Sequence, residues 1–242
     1  MKKLLTSWLL TSLALPINAR TAENGRLTIE VHIYNYSSVS AVALARAEKE
    51  TARIYQRLGV AMEWRNCPRT AEELAQSAAC DFPAASTRFT LRLLSDEMAH
   101  TFPLSGEIYG FALLPVHNGY GVVADVFADR ARKITTDEQS HGVILGHLIA
   151  HELGHLLLGE AGHPAAAGIM HVPWQTKELE QIKRGVMLFL PGQTERIRAQ
   201  IVARTTVSSS ELVPHRQPLR LSSYSNHCEF EDRTEVNSAL LA

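Results

Sequence analysis

Cysteine is scarce in this chain, and what there is does not cluster: Cys67, Cys80 and Cys228 include no C-x-x-C pair. A cysteine-built zinc site is therefore disfavoured, and no cysteine has a setting that would make it a nucleophile. G-x-S-x-G is absent, which leaves serine-nucleophile chemistry without its strand–turn–helix elbow. G-x-x-x-x-G-K is absent too, so Gly106, Gly110, Gly119 and Gly121 read as turn and strand punctuation rather than a phosphate cradle. Neither sign of charge dominates. A formal net charge of −1 implies no nucleic-acid and no membrane-surface partner.

Long apolar runs are few as well. The one at the N-terminus, residues 4–15, is too short and too poorly flanked to span a bilayer. Lys2 and Lys3 precede it, Pro16 breaks it, and Ala19 offers a small residue for cleavage, so residues 1–19 read as an export signal. The mature chain is then exported, secreted or periplasmic, with no stable membrane span, and meets an oxidising compartment. A Cys67–Cys80 disulfide across a short loop fits that setting, and it leaves Cys228 as a free thiol or an intermolecular partner.

With 242 residues, 45% of them hydrophobic, the chain can bury a sizeable core as one domain. That domain is expected over residues 20–205. Residues 206–242 are dominated by Ser, Thr, Pro and mixed charge without a period, and read as a disordered tail. Residues 27–34 alternate apolar and polar as a half-buried strand does. Caps among Ser37–Ser40 open a helix to about Leu58, striped by Leu44, Ala47, Thr51, Ile54 and Tyr55, and Gly59 closes it. A second strand over 60–64 completes a strand–helix–strand unit, hence a parallel pair. Residues 71–79 suggest a short helix, 88–94 a third strand, and 108–114 and 120–127 a fourth and fifth. Residues 128–139 read as a surface loop, with Ser140 able to cap the next helix. Beyond it, a helix is expected from Thr176 to about Phe189, broken by Pro191-Gly192, and another over 193–204.

The chemistry concentrates between these elements. His151-Glu152-Leu153-Gly154-His155 spells H-E-x-x-H. On a helix, residues four apart leave the same face, so two imidazoles can grip one zinc ion while Glu152 stands beside them as a general base. Apolar residues 143–150 and 156–158 flank the motif, so the helix should be buried nearly all round. Polar groups inside such a helix cost free energy unless something satisfies them, and a metal does. Gly159 offers a left-handed cap, and His163, Pro164 and Gly168-Ile169-Met170-His171 follow.

On these residues the chain resembles the metzincin clan of zinc metallopeptidases. The resemblance implies His151, His155 and His163 as zinc ligands, Glu152 as the base, Gly159 as the turn, and Met170 as the methionine-turn residue beneath the metal. It also implies an α+β fold in which a twisted mixed five-stranded sheet packs on the zinc helix, with C-terminal helices beyond. The implied activity is that of an endopeptidase hydrolysing peptide bonds in peptide or protein substrates; separately, the chain is expected to be a monomer. The spacing departs from the clan's H-E-x-x-H-x-x-G-x-x-H: three residues separate His155 from Gly159, and three more separate Gly159 from His163. The clan's oxyanion-steadying tyrosine is missing, since none occurs between Tyr120 and Tyr224.

Other readings stay open. Glu178 or Glu180 could replace His163 as third ligand, as in gluzincin-type sites. The zinc could be structural, in an exported non-enzymatic binding module, with His147 or His171 as fourth ligand. His147 fits better as a core histidine bonded to backbone, and Trp174 as a packed side chain.

Overall fold

The computed structural model describes residues 26–70, 72–73, 80, 85–102, 108–115, 120–159, 167–206 and 219–221. Its elements run β1 (Leu27–Asn35), α1 (Ala41–Gln56), β2 (Val60–Asn66), β3 (Arg88–Leu94), α2 (Asp96–Ala99), β4 (Gly110–Pro115), β5 (Val123–Phe127), α3 (Ala128–Lys133), α4 (Glu138–Leu158), α5 (Thr176–Lys183), α6 (Pro191–Thr206) and β6 (Leu219–Leu221). The strands form one mixed sheet in the order β2-β1-β3-β5-β4-β6. β1, β2, β3 and β5 pair in parallel, while β4 runs antiparallel to β5 and to β6.

Period-two alternation sends Ile29, Val31 and Ile33 of β1, Phe89, Leu91 and Leu93 of β3, and Ala112 and Leu114 of β4 into the main core. The opposite face is polar in the middle and apolar at one end. Glu30 collects His32 at 2.9 Å, Arg65 at 3.0 Å and Arg88 at 2.8 Å. Burial pushes the Glu30 carboxyl up, but the hydrogen bonds from His32, Arg88 and Arg65 outweigh it and hold it down to about 2. Phe111 and Phe127 leave this same face and join Leu94, Ala99 and Ile108 in a second, smaller core.

Helices α1 and α4 form the layer over the main core. Ser40 caps α1 by accepting from the Ala43 N–H. A Cβ on Gly142 would fall 2.6 Å from Arg46 Cβ, and one on Gly146 would fall 2.8 Å from the Ala47 carbonyl, so the two helices meet nearly backbone to backbone. Thr51 Oγ1 uses that closeness to donate to the Gly146 carbonyl at 2.9 Å. Every residue of α4 from Ile144 to Leu158 is buried, as the flanking apolar runs require. No helix among the described residues is long and apolar enough to cross a membrane. Cys67 and Cys80 are joined as a disulfide.

Five expectations are corrected. Residues 128–139 are not all loop: Ala128 and Ala131, one turn apart, are buried and make α3 a helix despite its charged remainder. Asp137, not Ser140, caps α4, and the Ser140 N–H donates to its carboxylate at 2.8 Å. Gly159 has positive φ but ψ of −155°, outside the left-handed helical region. α5 stops at Lys183, because Gly185 takes φ of 67° and turns the chain. Pro191 opens α6 rather than breaking a helix, since a first-turn residue needs no N–H. The tail reading is also amended where structure is described: α6 reaches Thr206, and β6 adds to the edge of β4, making six strands rather than five. The export signal (1–19), the helix expected at 71–79 apart from Glu72 and Glu73, His163, Cys228 and the rest of the tail lie outside the described residues.

Candidate metal centre

Four-residue spacing on α4 stacks His147, His151 and His155 along one line of the helix. All three are fully buried. The Nε2 atoms of His151 and His155 stand 3.0 Å apart, with ring centroids 4.7 Å apart and planes at 77°. His151 Nδ1 lies 2.8 Å from the Ile169 carbonyl. A carbonyl only accepts, so Nδ1 carries the proton and the neutral ring presents a lone pair at Nε2. Orienting a ligand imidazole through its other nitrogen is what metal sites do. The donor set therefore fits a zinc ion held by His151 and His155.

Glu152, next to His151 on α4, lies against the start of β4. It is fully buried, and neither carboxylate oxygen has a hydrogen-bond partner among the described residues. Burial, with the negative charge of Asp125 adding to it, pushes the Glu152 carboxyl well above the usual carboxylate range. Asp125 is itself fully buried but held by Arg92 at 2.5 Å. Gly110 makes room for Glu152: a Cβ there would lie 2.6 Å from Glu152 Oε1.

Met170 packs against α4. It is fully buried, and a Cβ on Gly154, between the two histidines in sequence, would come within 2.8 Å of its sulfur. Trp174 is packed inside and sets its ring edge-on to His151, with centroids 5.8 Å apart.

The remaining candidates are engaged elsewhere. His147 Nδ1 donates to the Val143 carbonyl at 2.9 Å, its Nε2 stands 3.7 Å from Glu50, and burial holds it below the usual imidazole range. It is a core histidine. Glu178 accepts from the Gln175 N–H at 3.0 Å in a capping box, and Glu180 pairs with Lys183 at 2.8 Å on the surface. Neither is poised as a third ligand. Apart from this centre, His32, Cys67 and Cys80 bring potential ligand atoms within 4.8 Å of one another, but the two sulfurs are bonded to each other and are not thiolates.

No protein-family model matches the chain, and no curated protein matches it. Among solved structures, the chain is similar to archaemetzincin from Methanopyrus kandleri, at 16% identity over 75% of this chain and 99% of that one, with a TM-score of 0.46. A likeness of that size carries no residue role to this chain.

Sequence reasoning missed two contributors. Gly110 reads as punctuation in the sequence, although a glycine in a strand also signals close approach of another group. Arg204 of α6, buried, donates to the carbonyls of Ser86 at 2.8 Å, Gly121 at 3.1 Å and Leu156. It thereby ties α6 to the end of α4. No local pattern distinguishes it from the other arginines of that helix.

Proposed function

We propose that this chain is an exported zinc-dependent metallopeptidase, with residues 20–205 as its catalytic domain, acting on peptide bonds as a monomer. The observation that carries the reading is the pairing of two converging imidazole nitrogens, 3.0 Å apart, with a buried carboxylate that has no partner among the described residues. His151 and His155 hold the zinc ion, and His163 is proposed as the third ligand. A bound zinc ion supplies Lewis acidity, which acidifies water and polarises a carbonyl. Glu152 takes the proton of the attacking water and passes it to the leaving amine. Its apolar burial favours the protonated form between those two transfers. The Ile169 carbonyl fixes the His151 tautomer, while Trp174 packs edge-on against the His151 ring.

The test is metal content and peptide hydrolysis of the purified chain beside Glu152→Ala. Zinc retained with hydrolysis abolished supports the reading; equal hydrolysis by the variant removes Glu152 from its role. His163→Ala examines the third ligand separately. A fall in zinc affinity of about tenfold or more is expected, and near-normal affinity would move that ligand elsewhere.

A further inference from the structure

On the sheet face turned away from the main core, strand pairing brings three further ligand-type side chains together. Val31 and Ile33 enter the main core, so His32 between them leaves by the other face. Its partner on β2 is Arg65. The Cys67 N–H donates to the Ile33 carbonyl at 2.8 Å, which continues the parallel ladder one residue past β2. Period two then sets Cys67 on the face of Arg65 and His32, and the disulfide carries Cys80 to the same place. One ring nitrogen of His32 and the two sulfurs lie within 4.8 Å of one another. His32 and Cys67 are buried, while Cys80 is half-buried and within reach of a small reductant. His32 Nε2 lies 2.9 Å from Glu30 Oε1, and Arg65 at 3.0 Å and Arg88 at 2.8 Å keep Glu30 charged. A carboxylate only accepts, so Nε2 carries the proton and the neutral ring has its lone pair at Nδ1. A carboxylate on one nitrogen is how an imidazole is oriented to ligate through the other.

We propose that reduction of the Cys67–Cys80 disulfide converts this cluster into a zinc site, with the two thiolates and His32 as its ligands. While the disulfide stands there is no thiolate for a metal to bind. A dithiol reductant opens it in two exchange steps. The S–S bond breaks and takes up two electrons and two protons to give two thiols, while the dithiol closes to its own disulfide. Zinc then binds both sulfurs and releases the two thiol protons to solvent. Two thiolates and an imidazole are a ligand set that zinc accepts, with one position left for water. Tetrahedral bonds of ~2.3 Å put two sulfurs roughly 3.7 Å apart, against about 2 Å in a disulfide. The sulfurs must separate by roughly 1.7 Å, which side-chain rotation supplies with the Cα atoms left 5.7 Å apart. The lack of C-x-x-C spacing is no obstacle, because the β1–β2 pairing supplies the proximity. In the reduced chain the metal takes over the part of the disulfide and holds Cys80 to the end of β2. The site depends on neither Glu152 nor peptide hydrolysis.

The test uses the full chain carrying Cys228→Ser, so that only the paired sulfurs respond. The protein is reduced with dithiothreitol, freed of reductant under nitrogen, and titrated with cobalt(II), whose thiolate complexes show a charge-transfer absorption that imidazole and carboxylate ligands do not give. One equivalent of cobalt with that absorption is expected after reduction and none before, and added zinc should bleach it. His32→Gln, which keeps a donor for Glu30, should weaken cobalt binding here about tenfold or more, and Glu30→Gln about tenfold. Circular dichroism of the metal-free reduced chain should match that of the oxidised one, which sets folded binding apart from capture by thiols of an unfolded chain. Loss of the fold on reduction, no thiolate absorption, absorption that zinc leaves in place, or both variants binding as tightly as their parent overturns the proposal. Cobalt at His151 and His155 adds no thiolate absorption, so this result and the peptidase reading stand or fall separately.

Discussion

Gly110→Ala is the substitution that most directly probes how β4 and Glu152 depend on each other. The added Cβ would lie 2.6 Å from Glu152 Oε1, 2.9 Å from Glu152 Cδ and 2.8 Å from the Asp125 carbonyl oxygen. Ordinary contacts between such atoms sit near 3.5 Å, so something must yield by roughly 0.5–1 Å. The Asp125 carbonyl belongs to the backbone of β5, which is bonded on both sides, whereas the Glu152 carboxylate is the end of a side chain with no hydrogen bond to hold it. The carboxylate therefore moves. Displacing a reacting group by about 1 Å costs on the order of 10²-fold in rate, and overpacking a core site costs about 1–3 kcal/mol. The expected variant folds, melts a few degrees lower, keeps its zinc, and loses kcat by roughly 10²-fold with little change in KM. Elemental analysis, a thermal melt and turnover of a fluorogenic peptide pool measure the three quantities. An unaltered kcat in a zinc-loaded, destabilised variant would refute the reasoning, because the group that was pushed would then not be the one that reacts.

Three further outcomes follow from the packing. Gly154→Ala drives a methyl to 2.8 Å from Met170 Sδ and 2.9 Å from Phe189 Cε1, so it should cost about 1–3 kcal/mol in chemical denaturation and weaken zinc binding, because the helical turn joining the two histidines must shift. Arg204→Met should cost about 3–5 kcal/mol: it strips donors from three carbonyls and removes the guanidinium from over Phe89 and Tyr120, at 5.1 Å and 4.6 Å from the ring centroids; a melting temperature within a degree of the parent would contradict the count. Glu30 has its folded-state carboxyl held to about 2 against 4.5 when unperturbed, so its contribution to stability is present above pH 4.5 and lost as pH falls through about 2; the stability gap between the parent and Glu30→Gln should shrink over that window.

What could be read from the chain beforehand was whatever short-range pattern decides. The H-E-x-x-H helix is long and apolar on every side but for its histidines and Glu152, and its burial from Ile144 onward follows from that alone. The parallel β1–β2 pair followed from one strand–helix–strand unit of ordinary length. The misreadings arose where a few residues outweighed their neighbours. Two alanines in a charged stretch made α3, and one glycine at positive φ cut α5 short although Met187, Leu188 and Phe189 continue the apolar run. The close approach of Gly110 to Glu152 joins positions 42 residues apart, and no spacing rule encodes it. β6 is harder still, because three residues of a polar tail pair with β4 only by virtue of an edge assembled from elsewhere.

The cost of keeping Glu152 where it is can be measured. A buried carboxylate without a hydrogen-bond partner is a liability of about 1–3 kcal/mol even when it sheds its charge by taking a proton. His151 Nδ1 escapes that penalty through Ile169, and Asp125 through Arg92. Neither Glu152 oxygen has such a partner among the described residues, and a fold selected for stability alone would replace this side chain with something apolar. Glu152→Met conserves length and flexibility in the same slot. It should raise the stability of the metal-free chain by about 1–3 kcal/mol while abolishing peptide hydrolysis by the zinc-loaded one. Melts in EDTA decide it. A variant that is less stable than its parent would mean that the carboxylate is satisfied in the folded chain and serves the structure, and the argument that it is kept for chemistry would lose its foundation.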